Sequence, residues 1–360
     1  MVVLSLLTYA LLSTGSRPAV TPTRPGAGVL EQYIGEANLG RIKEAAALET
    51  LSKVEIMDVT VSTEVSSVGT VETTFAKFTR TMAAKETSSP FDQLLQGLGT
   101  GNAYVKNRGS GAKIPIVCLH GFDSSCLEFR RMAPLLAEKG FSVLVPDILG
   151  WGFNPPSQDI TAYDPAAKIE HLVNFVKQAN GGEPVVVAGA SLGGALACIL
   201  AAKHPELVSK VVLIDAQGFI DGEGPSSLPV PLARVGVNVL KSQPLRMFAN
   251  YIAYADKTFA TVDAMRIGRL HCYMPTWEDA SVSFLLSGGF SPSETVKDVM
   301  QDTLVLWGES DEILEPSTAA KFEETLPSST IQWCKSGHVP HLEQPQQVAD
   351  AIAQFLSKMS

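Results

Sequence analysis

Paired cysteines are missing from this chain. Its five cysteines, Cys118, Cys126, Cys198, Cys272 and Cys334, are scattered, and no two of them form a C-x-x-C pair. Most lie in apolar runs and read as reduced core thiols, which excludes a disulfide framework and a cysteine-built zinc site. Charge is sparse as well, at 18% of residues, and the net −9 comes with no basic cluster, which argues against a nucleic-acid partner. No repeat period is apparent, so solenoid and array architectures drop out. What remains is 360 residues, 45% of them hydrophobic. That suits an α/β protein with a large core, one main domain and an insertion.

Acidic residues are absent before Glu31. Val2 to Leu12 is an apolar run broken by Ser5, Thr8 and Tyr9, too short to span a bilayer as a helix. It fits the hydrophobic region of a signal peptide, although no Lys or Arg precedes it, and Ser13-Thr14-Gly15 offers small residues for cleavage. Ser16, Arg17, Thr21, Thr23 and Arg24 follow, an acid-poor composition that resembles a transit peptide. A signal-like run followed by transit-like sequence resembles the bipartite plastid address of algae with secondary plastids. The other readings are another compartment on the secretory route, or the cytoplasm. The expected organisation is a targeting segment over 1–30, an N-terminal extension over 31–66, a core over 67–215, a cap over 216–297 and the rest of the core over 298–360.

Within 31–66 a helix is expected, with Leu39, Ile42, Ala46 and Leu51 near one face, before the alternating Val59 and Val61. Val71 to Thr79 reads as an edge strand, Ser88 to Gly101 as loop, and Ala103 to Val105 as a further strand. From Ile114 strands and helices alternate: strands at Ile114–Leu119, Phe141–Val145, Val185–Gly189 and Val211–Ile214, helices at Leu127–Lys139, Ala166–Gln178 and Gly193–Lys203. Prolines at 225, 229, 231, 244, 275 and 292 break the pattern over 216–297. It resumes with Thr303–Trp307 and Thr330–Trp333 as strands, Ser317–Thr325 and Gln346–Lys358 as helices. Alternation of this kind makes a doubly wound, mainly parallel sheet, and the interruption makes a cap inserted after the strand that follows Ser191.

The chemistry centres on Gly189-Ala190-Ser191-Leu192-Gly193, a G-x-S-x-G sequence between a β-branched strand and an Ala- and Leu-rich helix. So tight a turn needs small residues two before and two after the serine, and Gly189 and Gly193 supply them. A serine hydroxyl needs a base to take its proton, and that base needs a carboxylate to orient it. Of the six histidines, His338 in Ser336-Gly337-His338-Val339-Pro340 leaves the last strand at the right edge, with His341 its competitor. The acid comes from Trp307-Gly308-Glu309-Ser310-Asp311-Glu312, where Asp311 lies deepest in the turn, and Asp215 after the preceding strand is the alternative. An oxyanion needs donors: the Leu192 N–H is one, and the loop His120-Gly121-Phe122-Asp123 supplies the other through Phe122. Gly121 lets that backbone approach, and His120 holds the loop through its ring.

These residues together resemble the α/β-hydrolase superfamily over roughly residues 67–360, through Leu-His-Gly-Phe, Gly-Ala-Ser-Leu-Gly, Trp-Gly-Glu-Ser-Asp and Gly-His-Val-Pro-His in that order. Leu119 to Ser125, Asp147 to Phe153, Ile267 to Cys272 and Trp277 to Ala280 resemble a narrower group of plant-plastid and cyanobacterial hydrolases. The expected activity is hydrolysis of a carboxylic ester through an acyl-enzyme on Ser191, with Asp311 and His338, and with neither metal nor organic cofactor. A non-catalytic receptor on the same fold, or cofactor-free perhydrolase or lyase chemistry, stays open. The cap's balanced charges and many aromatics favour an apolar or amphipathic ester, with room for a peripheral lipid contact. Ser287-Gly288-Gly289 is expected as a cap hinge. Oligomeric state is not legible.

Overall fold

Eight strands form one sheet in the order β1-β2-β4-β3-β5-β6-β7-β8. The computed structural model describes residues 26–80, 114–224 and 226–357. The strands are β1 Val54–Thr60, β2 Thr70–Phe78, β3 Ile116–Leu119, β4 Val143–Pro146, β5 Val185–Ala190, β6 Val208–Ile214, β7 Thr303–Gly308 and β8 Ser329–Cys334. β3 to β8 are parallel, whereas β2 runs antiparallel to both β1 and β4. β3, β4, β5 and β7 are buried along their whole length, which is why they read as continuous apolar runs. Helices cover the sheet in packed pairs, Met132–Glu138 with Pro345–Ser357 and Pro165–Ala179 with Leu192–Lys203. The chain crosses from β3 to β4 on one side and then to β5 on the other. Open parallel sheets bind their ligands at the carboxyl ends of strands flanking such a reversal.

The N-terminal half departs from expectation in three places. β2 is an internal strand, and the edge belongs to β1, which continues the sheet from inside the stretch read as an extension. The boundary at 66/67 therefore falls within the β1–β2 hairpin. β1 carries Glu55 and Asp58 among apolar residues without strict alternation and is only partly buried, so its edge character hid it among helical residues. The single helix is three short ones, Ala27–Ile34, Glu36–Leu39 and Ala45–Ser52, interrupted first at Gly35 with φ 78°. After β3, a 3-10 turn Cys126–Phe129 precedes the helix, which spans only Met132–Glu138. Of the address expected over 1–30, residues 1–25 lie outside the described residues and the rest enters the helix Ala27–Ile34; the loop at Ser88–Gly101 and the strand at Ala103–Val105 lie outside them as well.

Between β6 and β7 the chain leaves the sheet through helices Val230–Leu240, Gln243–Ala253, Val262–Arg269, Trp277–Ser287 and Ser293–Val296. Its way out and its way back cross and bond: the Gly222 N–H donates to the Phe290 carbonyl at 2.7 Å, and the Ser226 N–H to Leu286 at 2.8 Å. A Cβ on Gly288 would lie 2.0 Å from the Gly224 carbonyl oxygen. Of the two glycines expected as a hinge, Gly288 is thus needed for the close approach of two backbones, whereas Gly289 meets only the Phe284 ring, at 3.7 Å. The N-terminal segment braces the same region. The Asp263 carboxylate accepts from the Lys43 and Glu44 N–H groups, and Glu44 in turn pairs with Arg130 and Arg131.

Candidate active site

Ser191 stands between β5 and the helix Leu192–Lys203 with φ 51° and ψ −121°. The turn closes because Gly189 and Gly193 carry no side chain. A Cβ on Gly189 would meet the Gly193 carbonyl oxygen at 2.1 Å, and one on Gly193 the Leu119 carbonyl oxygen at 2.0 Å. Backbone bonds fix the serine: its N–H donates to Ile214 at 3.0 Å and its carbonyl accepts from Gly194 and Gln217. Among the described residues three non-glycines have positive φ, namely Asp123, Ser191 and Asp215. Each costs about 1–3 kcal/mol, and such strain collects where function holds it. All three follow the carboxyl ends of neighbouring strands.

His338 leaves β8 and turns its Nδ1 to Asp311 Oδ2 at 2.8 Å. The other Asp311 oxygen accepts from the Ile313 and Leu314 N–H groups at 2.7 and 3.0 Å. Burial works against the Asp311 charge, but the hydrogen bond and charge of His338 outweigh it and hold the carboxyl below its usual range. The Nδ1–H donated to Asp311 leaves Nε2 as the ring's free base. Asp215 behaves oppositely. Burial, and then the Asp311 charge, push it well above its usual range. Its Oδ1 accepts from the Gly308 N–H at 2.8 Å, while its Oδ2 faces no donor. Glu309 is exposed, and Glu312 pairs with Lys257 at 3.0 Å. His341 does not reach Asp311: it packs on Phe129 and stands 3.6 Å from Glu128.

The loop after β3 passes against the serine. A Cβ on Gly121 would lie 3.3 Å from Ser191 Cβ. His120 is fully buried; its Nδ1–H donates to the Gly121 carbonyl at 2.9 Å and its Nε2 accepts from the Ile148 N–H at 3.1 Å. Burial lowers its pKa, so the ring is a neutral strut. The Phe122 N–H meets no acceptor among the described residues. The Leu192 N–H opens its helix and belongs to the donors a helix start leaves unpaired. Glu128 escaped the sequence reading. Its Oε2 accepts from the Gly121 N–H at 2.9 Å, and although burial opposes its charge, His341 and then His120 bring its pKa down to about 2. A lone acid in the apolar stretch Cys126–Phe129 was the available signal.

Ser191, Phe122 and His338 line one cavity of about 370 Å³, roofed by cap residues such as Ala249, Tyr254 and Ile267. The serine hydroxyl does not cap its own helix. Among the described residues, two buried clusters carry metal-type donors within 4.8 Å of one another, Asp123-His271-Cys272 and Asp215-Asp311-His338. In the first, Arg246 donates to both Asp123 and Cys272; in the second, His338 is spent on Asp311.

Residues 114–345 match the family model described as alpha/beta hydrolase fold. The chain is 39% identical over 252 residues to the alpha/beta hydrolase domain-containing protein VTE7 of Arabidopsis thaliana, covering 68% of this chain and 74% of that protein. It is 26% identical over 278 residues to Lipase 1 of Psychrobacter immobilis, covering 71% and 80% respectively. Among solved structures, a serine hydrolase involved in carbazole degradation superposes with a TM-score of 0.61 at 22% identity, over 84% of this chain and 99% of that one. The chain therefore belongs to the alpha/beta hydrolase fold family and is an enzyme of that family.

Proposed function

We propose that this enzyme hydrolyses a carboxylic ester through an acyl-enzyme on Ser191. The observation that carries the reading is the His338–Asp311 pair, bonded at 2.8 Å, whose histidine shares a cavity with a strained serine. Ser191 Oγ attacks the ester carbonyl carbon as its proton passes to His338 Nε2. Asp311 keeps the ring in the Nδ1–H form and stabilises the imidazolium without itself taking a proton. The carbonyl oxygen, now negative, is received by the Leu192 and Phe122 N–H groups. The bond to the alkoxide breaks, and the imidazolium returns its proton to that leaving group. Water then repeats the sequence on the acyl-enzyme and releases the acid, restoring Ser191.

The substrate is an apolar or amphipathic ester. Phe122, Leu127, Met265, Ile313 and Leu342 line the cavity, and its charged members are engaged elsewhere, Arg246 with Asp123 and Glu128 with Gly121. Lipase 1 of Psychrobacter immobilis fits this reading by its name. The apolar outer face of the cap belongs to the same proposal as a contact with the lipid that carries the ester. A plastid address over residues 1–30 is a further part, tested by whether a reporter behind those residues enters the plastid or stays in the cytosol.

Labelling by a fluorophosphonate, with turnover of p-nitrophenyl esters of graded chain length, tests the mechanism. Ser191→Ala should lose all labelling and lower kcat by about 10⁴–10⁶-fold while the fold survives. Undiminished turnover by folded Ser191→Ala protein rules the mechanism out.

A further inference from the structure

Asp123 follows Phe122, the residue whose N–H faces no protein acceptor among the described residues. Its backbone is left-handed at φ 51° and its side chain is buried, 6% exposed. Left-handed backbone disfavours any residue with a Cβ, aspartate and asparagine least among them. What holds the turn is the carboxylate, and every side chain that grips it comes from the cap. His271 Nε2 donates to Oδ1 at 2.8 Å and Trp277 Nε1 to the same oxygen at 2.6 Å. An Arg246 amino group donates to Oδ2, and its other amino group reaches the Asp123 carbonyl at 3.3 Å. Arg246 lies on the helix Gln243–Ala253, His271 in the turn Leu270–Tyr273, and Trp277 opens Trp277–Ser287. Three cap elements thus converge on one loop residue of the core.

Ester hydrolysis needs no acid or base at this place. A buried carboxylate with so many donors is nevertheless ordered, and its order passes to the peptide before it. We propose that Asp123 is a positioning residue through which the cap completes the oxyanion hole: Arg246, His271 and Trp277 fix its carboxylate, and the resulting turn aims the Phe122 N–H at the carbonyl oxygen of an ester on Ser191. The inference rests on the acyl-enzyme reading above and adds to it. The cap is then part of the catalytic machinery as well as a wall of the pocket. A cap lifted from the core would leave that oxyanion donor unaimed.

The test uses the purified full chain and four variants, with turnover of a p-nitrophenyl ester and inhibition by a trifluoromethyl ketone, which forms a tetrahedral adduct on serine. Asp123→Gly separates backbone from anchor, because glycine adopts the left-handed turn freely and keeps the carbonyl that Arg246 reaches, but offers the cap no carboxylate. It should lower kcat by about 10²–10³-fold, the usual loss for one oxyanion donor. KM should stay within about threefold, and the ketone's Ki should rise in step with the fall in kcat. Asp123→Asn keeps the shape and the Oδ1 acceptor but turns an amide N–H₂ on Arg246, and should fall between wild type and Asp123→Gly. A folded Asp123→Gly protein with wild-type kcat, or with only a raised KM, overturns the proposal, and so does lost kcat with unchanged ketone affinity. Where Asp123→Gly does not fold, His271→Phe and Trp277→Phe each remove one donor and should each cost roughly tenfold in kcat; wild-type kcat in both overturns it. Failure of the wild type to label with a fluorophosphonate overturns the acyl-enzyme reading itself, whereas a labelled wild type beside indifferent Asp123 variants overturns this inference alone.

Discussion

Asp215 and Asp311 end neighbouring strands and crowd the same histidine, yet their surroundings push their carboxyl groups in opposite directions, Asp215 up and Asp311 down. Asp311 has His338 and two backbone N–H donors; Asp215 has one donor, deep burial and a negative neighbour. A protonated Asp215 is mimicked by an amide, whereas an ionised Asp311 is not. Asp311→Asn should therefore lower kcat by about 10⁴-fold, the loss expected when the wrong tautomer is favoured. Asp215→Asn should stay within about threefold, because the amide keeps both an acceptor for Gly308 and a donor toward Asp311. Steady-state kinetics of the two variants checks this, and the reverse ranking would make Asp215 the acid.

His271 offers a second measurement at this scale. Burial opposes its charge, but Cys272 and the Asp123 hydrogen bond overcome it and raise its pKa to about 9, from an ordinary 6.5. The folded protein then holds a proton that the unfolded chain releases between those values. The resulting stability is complete below pH 6.5 and is lost as pH rises through 9. Arg246, Trp277 and His120 face the same cluster and do not change the sign. Lys168, pushed by burial down to about 7, titrates in the same window with the opposite slope, so wild type must be compared with His271→Gln at each pH. Their difference in urea-unfolding free energy should shrink by on the order of 3 kcal/mol between pH 6 and pH 9.5. A difference that does not vary with pH would mean the ring is neutral throughout.

At the scale of elements, legibility follows distance along the chain. Ser191 and Asp311 could be read because each closely follows a buried strand, and buried parallel strands announce themselves as apolar runs, whereas His338 follows the half-exposed edge strand β8 and was legible from the Gly-His pair that leaves it. Gly189 and Gly193 were legible for the same reason, since a strand-to-helix turn fixes which neighbours must be small. The grip on Asp123 was not, because its partners lie more than a hundred residues away in the cap and no spacing links them. β1 was missed because a half-exposed edge strand has no buried face to mark it. The expectation of a hinge at Ser287-Gly288-Gly289 rests on glycine's freedom, and the crossing of Gly288 against Gly224 offers a second reason for glycine there. Gly288→Ala tests the difference. At φ 83° a Cβ is strained, and here it would also meet a backbone carbonyl at 2.0 Å. A crossing predicts a loss of about 2 kcal/mol or more in urea unfolding, together with faster proteolysis inside the cap. A hinge predicts unchanged stability with altered turnover.

Over the whole molecule, the cap's apolar surface is distributed unevenly. Helix Val230–Leu240 buries only Ala233 and Val237, leaving Leu232, Val235 and Val239 exposed, and the next helix exposes Phe248 and Tyr251. That second helix also contributes Arg246, Ala249, Asn250 and Ala253 to the cavity, so the apolar face and the approach to Ser191 share one element. No helix among the described residues is long and apolar enough to cross a membrane. A contact made by this face would be with a surface, and each large apolar side chain covered there contributes about 1–2 kcal/mol. Removing two should weaken adsorption by roughly tenfold to a hundredfold, without touching the cavity. The double variant Leu232→Ser, Val235→Ser should thus hydrolyse a soluble short-chain p-nitrophenyl ester at the wild-type rate. It should lose most of its activity on a long-chain ester dissolved in phosphatidylcholine vesicles, and should no longer float with those vesicles in a sucrose gradient. Equal losses on both substrates would instead make the two residues part of the cap's own stability. A wild-type chain that is dimeric in light scattering and monomeric after the substitutions would assign the face to a second copy.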